Sequence, residues 1–329
     1  MTKKLKISLT FLYRGICFSI FLWALAAICF LNGFSFWPKM SICIPMILSI
    51  YWVNKKYTQP WLSLLALTHI LFISSIWLSM PASNDRLWTA DQEHFPEIKI
   101  KNNMITINNF RHSHYRSQTD FDARWKSTSV DLNQLVSVDF LVEHFSVIEG
   151  IAHTFLTFGF EDGNHIAISV EIRKEIGEYY SPVAALFRRY ELIYVIGDER
   201  DLIGMRTEHR KNPVYLFPIK ASKEEIQTLF LSMLDKAHEL ESQPQYYNTL
   251  FNTCATNIVQ HLNKNFGLEM GWDMRISFPG HSAELAYELD LINTKKSLKD
   301  AKTQFKIKKN HPIIDDGKKW SQLIRNKQE

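Results

Sequence analysis

Two long stretches without a charge near the start of the chain constrain its fold more than any other feature. Residues 16–36 and 61–80 are dominated by apolar and aromatic side chains. A bilayer core takes roughly 20 such residues in a helix, so each is long enough to cross. Residues 41–53, between them, are apolar but short, and reach spanning length only with Trp37, Pro38 and a snorkelling Lys39. Counting that segment gives a bundle of three transmembrane helices over residues 1–82. Lys3, Lys4 and Lys6 precede the first stretch, and Lys55 and Lys56 precede the last. Both clusters belong in the cytoplasm, so three crossings put residues 81–329 on the periplasmic face and two would leave them inside. A cleaved signal peptide fits poorly, because no small-residue cleavage site follows Phe36 and further apolar segments come next.

Residues 83–293 are enough to bury one substantial core. Residues 294–329 hold eleven Lys or Arg against four acids, which gives this stretch +7 while the whole chain carries +4. They read as a solvated, partly disordered basic tail, with contact to anionic lipid headgroups as the alternative. Nucleic acid is excluded as a partner, since basic and aromatic residues do not interleave. Of four cysteines, Cys17, Cys29 and Cys43 lie in the apolar segments. Cys254 is therefore the lone thiol of the soluble part, and an unpaired thiol in an oxidising compartment points to reactivity.

Periodicity predicts an α+β domain. Residues 81–103 read as a linker. Alternation marks strands at 104–110, 135–142, 151–160, 165–173, 192–196 and 214–219. The turn residues Glu161 to Asn164 make a hairpin of the third and fourth. A helix is expected from Ser222 to Glu241, with Ser222 and Glu225 as a capping box. A second should run from Thr253 to Phe266, with Ile258, Leu262 and Phe266 on one stripe.

That second helix carries Cys254 in its first turn, where the positive end of the dipole favours a thiolate. A nucleophile also needs a base. His153 is the best candidate, with His165, His209, His261 and His281 as competitors. A three-residue hairpin loop would set His153 opposite Glu171 and Phe155 opposite Ser169, bringing a carboxylate beside the imidazole. Positions 166, 168, 170 and 172 are all Ile or Val and must face a core. The opposite face, with Ser169, Glu171 and Arg173, reads as a cleft wall. Ser169, Arg173, Asn248 and Asn252 are the expected substrate or oxyanion contacts. Glu191, Asp198, Arg200 and Asp201 read as a structural ion-pair network in the cleft wall. No metal site, phosphate loop or dinucleotide fingerprint is found, so no cofactor is predicted.

Four motifs together resemble a known family. They are the run from His153 to Phe160, Ser169-Val170-Glu171-Ile172-Arg173, the run from Tyr190 to Asp201, and Tyr247-Asn248-Thr249-Leu250 with Asn252-Thr253-Cys254-Ala255-Thr256-Asn257. In this order they resemble the periplasmic domain of the Lnb family of bacterial lipoprotein N-acyltransferases, over roughly residues 105–290. The resemblance implies a circularly permuted papain-like thiol fold in a bacterial inner-membrane protein. It implies a Cys254 thioester, His153 as general base, Glu171 as orienting residue, a membrane phospholipid as acyl donor and a lipoprotein α-amine as acceptor. Two features depart from the family pattern. Thr253 and Ala255 flank the cysteine in place of Asn-Cys-Thr-Thr, and the apolar segments precede the domain. A cell-wall amidase or peptidase with the same dyad, and a non-catalytic tethered binding domain, are the competing functions.

The topology is open to a direct check. Alkaline phosphatase fused after Glu329 is expected to be active and a fluorescent reporter there dark. The reverse pattern would mean an even number of crossings.

Overall fold

The computed structural model describes residues 3–31, 35–56, 59–312 and 314–325. They form two compact units, Met1–Ser83 with Ser181–Arg189, and Asn84–Tyr180 with Tyr190–Glu329.

The first unit is built on α1 (Lys3–Phe30), α2 (Phe36–Lys56) and α3 (Gln59–Ser79), with the short α4 (Pro182–Leu186). Ala24, Ala27 and Ala66 are buried where these helices meet, and small side chains there let helix backbones approach closely. The Lys39 ammonium donates to the Cys29 carbonyl at 2.9 Å, satisfying an acceptor at the end of α1. Phe187 stacks on Phe30 with ring centroids 5.6 Å apart. The outward surface is apolar, with Leu12, Phe18, Leu71 and Phe72 all exposed. Among the described residues, Leu12–Phe30 and Trp61–Ser79 are long and apolar enough to cross a membrane. The middle segment is helical over 21 residues, with Pro45 inside it, but does not reach that composition.

The second unit begins with β1 (Glu97–Lys101), β2 (Met104–Arg111), β3 (His114–Tyr115), β4 (Phe121–Asp122) and β5 (Trp125–Asp131). Then come β6 (Leu135–Glu143), β7 (His153–Phe160), β8 (His165–Arg173), β9 (Glu191–Asp198), α5 (Glu199–Leu202) and β10 (Val214–Pro218). Helices α6 (Lys223–Ser242), α7 (Cys254–Phe266), α8 (Met274–Ser277), α9 (Ser282–Glu288), α10 (Leu298–Gln304) and α11 (Gly317–Arg325) complete it. The main sheet runs β1-β2-β9-β8-β7-β6-β10, with β5 on β2. Its named pairings are antiparallel except β2 with β9. That parallel contact needs Gly197, because a Cβ there would lie 2.7 Å from the Arg111 carbonyl oxygen.

The expected strands and both long helices are present, so the α+β reading holds. Ser222 caps α6 with the predicted Glu225 partner. The hairpin register follows the three-residue loop, with Leu156 opposite Ile168 and Gly159 opposite His165. Gly163 closes the loop at φ +83°, a conformation glycine adopts without strain. On the even face Phe158 packs against Phe230 of α6 at 4.9 Å.

Three expectations are corrected. The stretch 81–103 is more than a linker, since it supplies β1 at the sheet edge. The odd face of the hairpin is a cleft wall only at His153 and Glu171, because Thr157, Ser169 and Arg173 are buried. The basic segment after 294 is not a solvated tail. Lys295, Lys299, Lys306 and Lys319 are exposed, but Ala301, Phe305, Ile307, Trp320 and Ile324 are buried, and Ile307 N–H donates to the Val214 carbonyl at 2.9 Å. Near the end of α11, Arg325 donates to Glu199 and to Asp139, each at 2.7 Å. High charge hid an apolar pattern too sparse to read without its partners.

Burial pushes the Glu199 carboxyl up, but Arg325 and His165 outweigh it and bring it down to about 2. A depressed carboxylate stabilises the fold above its unfolded pKa and loses that contribution as pH falls toward the folded one. Arg325→Ala leaves Glu199 buried without its main counter-charge, so a loss of about 3–5 kcal/mol is expected at neutral pH. Thermal denaturation of the detergent-solubilised protein should show that loss shrinking as the pH is lowered below the ordinary glutamate range.

Candidate active site

Cys254 is the first residue of α7. Thr253 caps the helix, its hydroxyl accepting from Thr256 N–H at 3.1 Å while the Thr256 hydroxyl accepts from Thr253 N–H at 2.7 Å. The preceding loop is fixed by its asparagines. The Asn248 side chain accepts from Leu250 N–H at 2.9 Å and Phe251 N–H at 3.2 Å. Asn252 donates to the Tyr246 carbonyl and accepts from the Asn257 amide, each at 2.8 Å. This brings the thiol to a helix N-terminus with the side chain buried.

His153 opens β7 and stands beside that thiol in a cleft of about 430 Å³, which both residues line together with Glu143, Glu171, Arg206 and Tyr247. The imidazole Nε2 lies 2.7 Å from the Ser169 hydroxyl, and that hydroxyl donates to Glu171 at 2.8 Å. With its hydrogen given to Glu171, the Ser169 oxygen accepts from Nε2–H. This leaves Nδ1 as the basic nitrogen available to the sulfur.

Behind His153 stands a buried charge cluster. Arg206, from the π-type turn Met205–His209, donates through Nε to Glu143 at 2.7 Å and through Nη2 to Glu171 at 2.8 Å. Its guanidinium also lies over the Phe155 ring at 4.8 Å. Glu143 is the residue directly opposite His153 on β6 and also accepts from the Asn212 amide at 2.7 Å. Burial alone would raise the Glu171 carboxyl, but Arg206, Arg111 and His153 hold it well below the usual range. Glu143 is lowered too, Arg206 and Arg210 outweighing its burial. Both therefore stay ionised beside the imidazole. Burial likewise works against the Cys254 thiolate, yet His153 and Thr154 bring the thiol below its ordinary value. The Tyr247 hydroxyl stands against Cys254 and is pushed well up, first by burial and then by the nearby sulfur. Such an arrangement equips a thiol to pass its proton to a neighbouring base and attack a carbonyl carbon.

Of the residues picked from the sequence, Cys254, His153 and Glu171 meet in the cleft. The other four have different surroundings. Ser169 is fully buried and mediates between His153 and Glu171. Asn248 and Asn252 spend their amides on the loop. Arg173 lies between Trp88 at 4.3 Å and Phe95 at 4.2 Å and donates to the Gln92 and Glu93 carbonyls, so it clamps the domain's entry segment. Among the competing histidines, His281 pairs with Glu284 at 3.2 Å, and His261 is held by Tyr194 and Ser232. Neither lines the cleft. Glu143, Arg206 and Tyr247 were missed. The pairing of β6 with β7 sets Glu143 opposite His153, but the nine residues between these strands give no register signal, and an arginine in an irregular turn gives none either. Glu191, Asp198, Arg200 and Asp201 do not form one network in the cleft wall: none of them lines the cleft, and within the set Arg200 approaches Asp198 at 3.9 Å. Asp201 pairs with Arg111 at 2.9 Å and Glu191 with Arg86 at 2.9 Å, while Asp198 bonds His112.

A family model, the Lnb N-terminal periplasmic domain, matches residues 121–279. That is the family the four motifs resemble, and the match contains Cys254, His153 and Glu171. No curated protein and no solved structure matches the chain.

The thiol's titration tests this geometry. Iodoacetamide alkylation of Cys254 in the folded protein should begin at lower pH than for a free cysteine. His153→Ala should move the profile upward by roughly one unit or more, and Ser169→Ala should move it in the same direction by less.

Proposed function

We propose that this chain is a membrane-anchored, periplasm-facing thiol acyltransferase. In this reading Cys254 is the nucleophile and His153 the general base, and Ser169 and Glu171 orient the imidazole. The observation that carries it is the pair Cys254 and His153 in one cleft, with Nε2 of the histidine spent on a hydrogen-bonded chain ending in an ionised carboxylate. A helix bearing its thiol at the N-terminus, set against an antiparallel sheet bearing the histidine, fits a papain-like fold in the permuted order. A periplasmic domain behind a lysine-rich cytoplasmic N-terminus needs an odd number of crossings, so α2 is taken as the third span.

The chemistry has two halves. His153 Nδ1 takes the Cys254 proton as the sulfur attacks the ester carbonyl of a phospholipid. The Tyr247 hydroxyl and the N–H groups at the start of α7 would serve as donors to the developing oxyanion. The ester C–O bond breaks, and the imidazolium proton goes to the departing lysophospholipid oxygen, leaving a thioester. The α-amine of a lipoprotein then attacks that thioester and gives its proton to His153. The C–S bond breaks, and the proton returns to the thiolate. An acyl substrate is favoured over a cell-wall peptide by a second, apolar cavity of about 170 Å³. Its lining includes Thr154 and Ala255, the chain neighbours of the base and the nucleophile, with Leu156, Ile258 and Leu262.

Intact-mass spectrometry of the purified protein is expected to reveal an acyl adduct that hydroxylamine releases and Cys254→Ala abolishes. His153→Ala should slow adduct formation by about 10²–10⁴-fold. Phospholipid turnover and lipoprotein acylation unchanged by Cys254→Ser would defeat the proposal. Altered muropeptides with unaltered lipids in a deletion strain would redirect it to an amidase.

A further inference from the structure

No His-x-x-x-His pair with a third ligand at short spacing marks a metal site along the chain, but the fold brings the distant Asp315 to two histidines separated by one residue. His112 follows the end of β2 and His114 opens β3, and at this spacing an extended chain turns both imidazoles to one side. Their rings stand edge to face at 5.4 Å. Asp315 arrives from the C-terminal segment, with its Oδ1 3.0 Å from His114 Nε2 and 4.0 Å from His112 Nε2. One ligand atom from each of the three lies within 4.8 Å of the other two. A tetrahedral ion with bonds near 2.1 Å would space its ligands by about 3.4 Å, so small side-chain rotations suffice.

Two features mark a built site rather than a chance meeting. His112 Nδ1 is bonded to Asp198, a side chain only 8% exposed. A carboxylate holding the far nitrogen of a histidine fixes the tautomer that offers Nε2 as a ligand and strengthens it as a donor. Asp198 is itself fixed, since its other oxygen accepts the Asp201 N–H at 2.8 Å and caps α5. Arg200 lies 3.9 Å and Lys126 3.8 Å from it, so its charge is already balanced. Arg200 also approaches His112 Nδ1 at 3.0 Å, on the side away from the ligand nitrogen. Asp315, for its part, is carried just ahead of α11, which Trp320 and Ile324 bury against the domain.

We propose that His112, His114 and Asp315 bind one divalent transition-metal ion, with Zn²⁺ as the natural probe, and that water fills the remaining position. Two imidazoles and a carboxylate suit zinc and its neighbours better than calcium or magnesium. The ion staples the C-terminal segment to the chain at the junction of β2 and β3. Its role is structural and independent of the thiol chemistry.

The test uses the full chain in detergent, stripped with chelator and then titrated with zinc chloride, with bound metal measured by elemental analysis after dialysis. One zinc per chain is expected, retained in Cys254→Ser, so that the thiol is not the ligand. His114→Ala and Asp315→Asn should each weaken binding by at least about tenfold, and Asp198→Asn by about 10–100-fold. Zinc should also slow tryptic cleavage at Lys308, Lys309, Lys318 and Lys319 in the wild type but not in Asp315→Asn. Asp315 is exposed, so this variant should fold. Zinc binding that is absent, that persists unweakened in Asp315→Asn, or that disappears in Cys254→Ser would each overturn the proposal.

Discussion

The candidate site depends on one guanidinium shared by two carboxylates. Arg206 sits between Glu143 and Glu171, and all three are largely withdrawn from water. Each ion so withdrawn costs several kcal/mol, recovered only when geometry and hydrogen bonding are good. Here both carboxylates are charged acceptors at hydrogen-bonding distance, and Asn212 and Ser169 take up further lone pairs. The arrangement costs more than an apolar core of equal volume. What it supplies is a fixed negative field from the two strands that flank His153 on β7, which an apolar core could not.

That field explains how a buried thiol can ionise. Desolvation disfavours a thiolate and an imidazolium taken singly, but a proton moved from Cys254 to His153 creates them together, and each stabilises the other. Glu171 reaches the ring through Ser169, and Glu143 lies opposite it on β6. The interposed serine matters. A carboxylate bonded directly to Nε2 would bind the histidine proton more strongly, whereas a hydroxyl relays orientation and part of the charge. In the proposed reaction this would leave His153 a base able to return its proton to a leaving group.

Much of this was legible in the residues. The apolar even positions of β8 and the three-residue loop fixed the hairpin register, and with it the faces of His153, Ser169 and Glu171. The Thr253 cap and the stripe of Ile258, Leu262 and Phe266 located α7 and hence Cys254 at its start. Contacts made across long stretches of chain were not legible. Arg206 lies in a π-type turn without periodicity, and Glu143 meets His153 through a pairing whose connection has no turn signature. Arg173 resembled a cleft residue because its strand neighbours are polar. Its guanidinium in fact lies between two aromatic rings, one of them Trp88, which sequence periodicity left in a linker.

The basic C-terminal segment teaches the same lesson in reverse. Its charge suggested solvent, yet Arg325 from this segment offsets both Glu199 and Asp139, acids that the sheet could not otherwise bury. Thr157, one of the polar residues on the odd face of the hairpin, donates to Glu199 at 2.6 Å. The C-terminal helix is thus tied through one carboxylate to the strand that begins at His153. A segment that reads as an appendage is part of the polar layer on which the base-bearing strand rests. Loosening α11 would expose that layer to water and weaken the electrostatics of β7 without touching a residue of the cleft.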